Sequence, residues 1–458
     1  MTPLVLSTFA DQERDRIVTV LMDWLRIPSI SADPAQAPAV RQSAEFCARL
    51  LAGAGFEHVA LIETAGGPAV YGDWLHAGPD APTVLVYGHH DVQPVDPLGE
   101  WTSPPFEPVI VDGECRARGA IDDKGQTLYQ IEAARGLLAE RGGLPVNLKF
   151  IVEGEEEVGS PNFEALLVTE AERLAADVIV VSDTGMISPE VPSTSVSLRG
   201  LVAFDVDLRS GRIDLHSGQW GGTVPNAARI AARLVTALHD GTGRVTIPRF
   251  YDRVRPLSPS EQASLDAQPY DEALFLSQAG VAYLEGEEGY SPLERTGVRP
   301  TAEVVGLRGG YAGPGMKTIV PATAGFKIAL RLVPDQRPEE IGQAFGEWLA
   351  AQVPPGVEVT VTSLGAVAPA LTPIDHPAMA ALVTAIERVW GRAPLFTREG
   401  GSGPEEALGR VLGAPVLFLG VSLPDDRFHA PNERMVMDQF WKGLLAAGEL
   451  LVELGALR

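Results

Sequence analysis

The sequence predicts an α/β fold: a mainly parallel sheet sandwiched by helices, interrupted by an inserted α+β unit on an antiparallel sheet. Three observations predict it. First, near-continuous apolar runs at 83–88 (TVLVYG), 147–153 (NLKFIVE) and 177–182 (DVIVVS) alternate with helical patterns, as strands buried on both faces do. Second, near residue 195 the texture changes to the alternation of VSLRGLVAFDVDLRS (196–210), which marks an antiparallel strand with one wet face. Third, the first texture returns over 376–458. With 458 residues, more than one ordinary core holds, the expected parse is a main domain of 1–198 and 371–458 around an insert of 199–370.

The elements follow in order. Residues 8–27 predict an amphipathic helix, with Ile17, Val20, Leu21, Trp24 and Leu25 at helical spacing and Pro28 ending it. A second helix is expected at 36–53. Strand 83–88, helix 124–140, strand 147–153, helix 162–174 and strand 177–182 complete the first part. The insert should hold a strand at 196–210, a helix at 225–239, strands at 322–333 and 357–363, and a helix at 338–352 between them. Residues 241–300 read as irregular, and 364–375 (LGAVAPALTPID) has linker composition. A helix at 376–390, a strand at 415–420 and a last helix at 435–455 close the chain.

Composition narrows function. A hydrophobic fraction of 45% with 21% charged residues is globular rather than disordered. The net charge of -24 disfavours phosphate backbones and anionic lipid, so neither nucleic acid nor membrane is an expected partner. It also suits a solvated acidic surface and bound cations. Two cysteines, Cys47 and Cys115, make no disulfide framework; two reduced thiols and a cytoplasmic location are expected, with Cys115 in a polar turn (DGECR). No apolar stretch is long enough to span a membrane, and the N-terminus lacks a basic signal-type region.

Chemistry gathers at strand ends. TVLVYGHHD ends an apolar run in Gly88, His89, His90 and Asp91. The two-residue period points His89 and Asp91 the same way, which suits a ligand histidine and a carboxylate orienting its ring. In RGAIDDKGQT, Asp122 and Asp123 precede a helix; an aspartate there can be only a cap, but its two oxygens can also bridge cations. EGEEEVGS crowds Glu155, Glu156 and Glu157 after a buried strand, an arrangement favoured only by solvation, protonation or cations. Asp183 ends the run VIVVSD, and His429 follows the strand PVLFLG. Two histidines and three carboxylates at the edge of one sheet can hold two divalent ions. With no thiolates, zinc, manganese and cobalt all remain open.

GHHDVQP (88–94), RGAIDDKG (118–125), EGEEEVGS (153–160), VSD (181–183), DLHSGQWGG (214–222) and HAPNE (429–433) resemble, in order and over nearly the whole chain, the motifs of one superfamily. It is that of the co-catalytic dizinc exopeptidases: carnosinases, aminoacylases and succinyl-diaminopimelate desuccinylases. The resemblance is closest to cytosolic non-specific dipeptidases and carnosinases. It implies two divalent ions per subunit, zinc first: one held by His89 and Asp183, the other by Glu157 and His429, with Asp122 between them. It implies Glu156 as general base for a water acidified by the metals, and Asp91 as the group orienting His89. His90 fills a variable position and remains a rival ligand, with its side chain expected to point away from that of His89. Ala117 stands where the family often has glycine.

In the insert, the resemblance makes His216 the donor to the tetrahedral oxyanion, commonly from the partner subunit. The insert then becomes a lid and dimerisation domain, the rest the catalytic domain, and a homodimer is expected. Arg331 suits a substrate carboxylate, which a guanidinium can bind bidentately. The loop GGYAGPGMKT fails as a phosphate loop because Met316 separates Gly315 from Lys317; the resemblance gives it a substrate contact, Thr318. Ser402 joins the carboxylate site, and Glu399 would meet a free substrate amine, favouring dipeptides over N-acyl amino acids. The expected substrate is a dipeptide or short peptide with free termini. An N-acyl amino acid amidohydrolase, a carboxypeptidase and a non-enzymatic metal-dependent binding protein are the alternatives.

Overall fold

A computed structural model describes residues 4–457. The chain divides into two compact units: one of the chain up to Val196, Thr372–Thr397 and the chain from Gly403 on, the other of Ser197–Leu371 and Arg398–Ser402.

In the first unit a six-stranded sheet runs in the order Glu57–Ile62, Ala69–Trp74, Asn147–Glu153, Thr83–His89, Val178–Val181, Val416–Phe418. The last four are parallel and buried, as near-continuous apolar runs require. The first two form an antiparallel edge that the sequence reading missed, since EHVALI is short and opens on two polar residues and AVYGDW is short and interrupted by Gly72. Helices Ala37–Ala54, Lys124–Arg141, Pro377–Trp390 and Met437–Gly455 share a core with the sheet. Lys124–Arg141 is buried almost all round, so its polar groups need partners. Gln126 Oε1 accepts from the Val421 amide at 2.9 Å, and Gln130 Nε2 donates to Ser182 Oγ at 2.8 Å. The Lys124 ammonium donates to the carbonyls of Trp24 and Ile27, tying the N-terminal helix to the start of the motif helix.

The second unit carries an antiparallel sheet in the order Thr301–Gly309, Thr323–Leu332, Gly200–Arg209, Glu358–Val367. Helices Ala227–Ala237 and Pro338–Gln352 bury their apolar stripes with one of its faces.

Several expectations need correction. The helix expected at 8–27 is two, Ser7–Gln12 and Arg14–Leu25, because Glu13 leaves helical geometry at φ -98°, ψ 4°. The helix at 162–174 likewise breaks at Glu170 into Phe163–Thr169 and Ala171–Leu174. Residues 241–300 are not irregular throughout: they hold helices Pro259–Asp266, Glu272–Ala279 and Pro292–Gly297. Two start with full capping boxes, Ser258 with Glu261 and Ser291 with Glu294, a signal that is legible in SPSE and SPLE. The proposed linker 364–375 continues a strand to Val367 and adds another, Ala370–Leu371. Cys115 sits in the strand Glu114–Arg116, fully buried, rather than in a turn.

Candidate metal centre

The parallel strands deliver their ends to one edge, where the apolar code stops. His89 is the last residue of its strand and fully buried. The next strand ends at Glu153, opposite His89, and leads into the short turn Glu156–Val158. Asp183 lies two residues beyond the strand Val178–Val181. Asp122 and Asp123, joined by a cis peptide bond, precede helix Lys124–Arg141. His429 lies in the loop after Val416–Phe418, with positive φ.

These ends bring two groups together. His89, Asp122 and Asp183 offer ligand atoms within 4.8 Å of one another, and so do Asp122, Glu157 and His429. Asp122 belongs to both. Its Oδ1 lies 3.1 Å from His89 Nε2 and its Oδ2 3.0 Å from His429 Nε2. Asp183 Oδ2 lies 3.6 Å from His89 Nε2, and Glu157 Oε2 3.2 Å from His429 Nε2.

The donors fit divalent cations. Five carboxylates (Asp91, Asp122, Glu156, Glu157, Asp183) crowd around two imidazoles, and Glu157 Oε1 is buried with no hydrogen-bond partner. Nitrogen and oxygen donors without thiolate suit zinc, manganese or cobalt. The protonation equilibria report the same crowding. Burial, reinforced by Asp122, lifts the Glu157 carboxyl to about 7. Burial and the neighbouring carboxylates raise Glu156 well above its ordinary range. Hydrogen bonds to the carboxylates of Asp122 and Glu157 raise His429 to about 10. Burial works against charging His89, yet Asp122, Asp183 and Asp91 overcome it and raise its pKa. The site as folded waits for positive charge.

The supporting shell is more extensive than the sequence suggests. His89 Nδ1 lies 3.1 Å from the Asp91 carbonyl and 3.4 Å from its carboxylate. Asp91 does a second job: its two oxygens accept the amides of Glu156 and Glu157 at 3.3 and 3.1 Å, fixing the acidic turn. Asp123 is no simple cap, for its Oδ2 accepts from the His89 amide and from Thr127 Oγ1. A Cβ on Gly88 would come within 2.1 Å of that Thr127 hydroxyl, so the glycine of GHHD is required by packing. His90 is buried with its Nε2 2.8 Å from the Pro68 carbonyl, outside both ligand groups.

Three residues were missed as site residues. Glu433, buried, accepts from Arg118 Nη1 at 2.7 Å and from the amides of Gly119, Ile121 and Asp122. It therefore holds the backbone that presents Asp122, and Arg118 balances its charge. Gln93 Nε2 donates to Glu157 Oε2 at 2.7 Å. All three lie inside the motifs HAPNE, RGAIDDKG and GHHDVQP; a buried acid beside a ligand histidine was the available signal.

The other predicted residues lie in the second unit. His216 is exposed and ends the strand Leu215–His216, which pairs with Ile319–Val320. Its Nδ1 accepts from the Gly218 amide, and the Ser217 amide donates to the Thr318 carbonyl, so His216 and Thr318 are neighbours. Arg331 Nη1 donates to Ser402 Oγ at 2.9 Å, joining those two. Glu399 ends the strand Leu395–Glu399, where its carbonyl accepts from the Arg199 amide.

Comparison with known proteins agrees with this chemistry. The model of peptidase family M20/M25/M40 matches residues 85–453. The Cys-Gly metallodipeptidase dug1 of Schizosaccharomyces pombe is 30% identical, covering 95% of this chain and 94% of its own. The Beta-Ala-His dipeptidase of Mus musculus is 28% identical over 94% of this chain and 91% of its own. The crystal structure of the M20 family metallo-carboxypeptidase Sso-CP2 from Sulfolobus solfataricus superposes with a TM-score of 0.86 at 30% identity, covering 96% of this chain and 99% of that one. The chain belongs to peptidase family M20/M25/M40 and is a metal-dependent peptidase.

Proposed function

From that membership we propose that the protein is a dipeptidase that releases amino acids from dipeptides or short peptides with free termini. The observation that carries the reading is Asp122, one carboxylate shared by two ligand groups. We assign His89 and Asp183 to one divalent ion, Glu157 and His429 to the other, and Asp122 to both, with zinc the first choice and manganese or cobalt the alternatives. Bound there, the ions would polarise the scissile carbonyl and acidify water. Glu156 takes the proton of the attacking water and passes it to the leaving amine. Asp91 holds the His89 ring and the Glu156 backbone in register.

For the inserted unit, residues 199–370, we propose the role of lid and dimerisation domain of a cytoplasmic homodimer. His216 serves there as donor to the tetrahedral oxyanion. Arg331, Ser402 and Thr318 take the substrate carboxylate, and Glu399 the free amine. The Arg331–Ser402 hydrogen bond supports the pairing of those two.

The test is a metal analysis followed by a panel of dipeptides and their N-acetyl forms. Hydrolysis of the free dipeptides, lost on chelation and restored by zinc, manganese or cobalt, supports the reading. Equal or faster cleavage of the acetylated forms would replace it with a deacylase. A carboxypeptidase is the second reading, favoured by the similarity to Sso-CP2. Release of single C-terminal residues from longer peptides at undiminished rate would select it.

A further inference from the structure

Within the inserted unit, strand register pairs Thr301 with Arg331 and Arg331 with Leu201. The two-residue period puts Arg199 and Glu303 on the same face as that row. The opposite face carries Ala302, Leu330 and Val202 into the core. Over the polar face, residues from 239–245, 284–288 and 295–300 border an open cavity of 860 Å³, of a size that takes small ligands. The segment that carried no motif in the sequence thus builds a chamber.

The walls of that chamber are not equivalent. Arg299 is buried and paired with Glu287 through two bonds of 2.8 Å, and Arg244 shares the same carboxylate at 3.1 Å. Arg199 and Arg331, both half-buried, instead donate to neutral oxygens. Arg199 Nε donates to the Gly400 carbonyl at 3.1 Å and its Nη1 to the Arg295 carbonyl at 3.4 Å. Arg331 donates to Ser402 Oγ, which in turn donates to the Arg199 carbonyl at 2.5 Å. Burial first, and then the nearby charge of Arg331, lower the Arg199 pKa to about 10, opposed only by Glu303, which is exposed. The neighbouring guanidinium groups of Arg199 and Arg331 thus make this end of the cavity locally positive, although its lining elsewhere carries Asp240, Glu285, Glu288 and Glu303.

We infer that the chamber receives the C-terminal residue of the substrate, and that Arg199 is a specificity-determining residue that selects an acidic side chain there. The inference rests on the proposed role of Arg331. With Arg331 on the C-terminal carboxylate, Arg199 offers a second guanidinium to a second carboxylate about 8 Å or less away along the same sheet face. The cavity is far larger than one carboxylate, so a side chain of aspartate or glutamate length fits.

Ala-Glu and Ala-Gln, equal in shape and different in charge, test this. The expected kcat/KM ratio is about tenfold or more in favour of Ala-Glu, because an ionic partner roughly doubles a hydrogen bond. Arg199→Met should bring the ratio near one, with the loss in KM for Ala-Glu, and Arg199→Lys should keep part of it. A ratio near one in the unmodified protein, or one that Arg199→Met leaves intact, overturns the inference. If neither dipeptide is cleaved, the proposed function fails, and calorimetric titration of the full chain with glutarate and butyrate decides the inference alone. Glutarate should bind more tightly than butyrate, and Arg199→Met should remove that difference; equal binding in the unmodified protein overturns it.

Discussion

The metal centre and the inserted unit solve opposite problems. At the centre, His89 and Asp122 are almost completely buried; Glu433 accepts from the Asp122 amide, Asp91 from the Glu157 amide, and Gln93 donates to the Glu157 carboxylate. In the insert, His216 and Thr318 are exposed; His216 ends the two-residue strand Leu215–His216, and Thr318 lies just before the strand Ile319–Val320. The difference follows from charge. Gathering five carboxylates is so costly that every one must be fixed in a rigid frame. Exposed neutral groups such as His216 and Thr318 carry no such cost and need no comparable frame.

That contrast can be broken at several points. The largest effect is expected for Glu156→Gln: a loss of roughly 100- to 10,000-fold in kcat with metal content unchanged. Loss of metal instead would make Glu156 a ligand and merge the two roles. For His216→Ala, a fall of about 100-fold or more in kcat is expected, again with metal retained and with little change in melting temperature. A His216 variant that melted early would show the insert to be as rigidly interlocked as the centre.

Glu433→Gln probes the frame itself. It keeps the shape but weakens the hold on Arg118 and the Asp122 backbone. Metal affinity should fall about 10- to 100-fold, measured by competition with a chelating dye. An unchanged affinity would mean that the strands alone position Asp122.

The smallest effect concerns Glu405, buried with its Oε2 unpartnered. Burial first, with help from Asp183, raises its carboxyl to about 8. A raised carboxyl pKa means that the folded state favours the protonated form. Its contribution is fully present below pH 4.5 and is lost as pH rises through about 8. Glu405→Gln should therefore flatten the fall in melting temperature between pH 6 and pH 9. A parallel fall in both proteins would put the cause elsewhere.

Where the sequence was legible, a single local rule decided the outcome. The apolar runs at 83–88, 147–153 and 177–182 pointed to buried strands, and the acids directly after them to a sheet edge. The two-residue period put His89 and Asp91 on one side, while their roles came from the resemblance. Where it failed, two rules competed. EHVALI is short with a polar start, AVYGDW is interrupted by Gly72, and Glu13 and Glu170 end helices without any breaker residue. The capping boxes at Ser258 and Ser291 were readable and went unread.

The sequence by itself determined the fold class, the resemblance and the residue types at each strand end, because these depend on contacts near in the chain. Only the tertiary structure decided that Asp122 is shared by two ligand groups, that Glu433 holds its backbone from over 300 residues away, and that Arg199 faces Arg331's cavity. Such facts depend on which distant segments meet, and that is set by the register of whole sheets rather than by any local pattern.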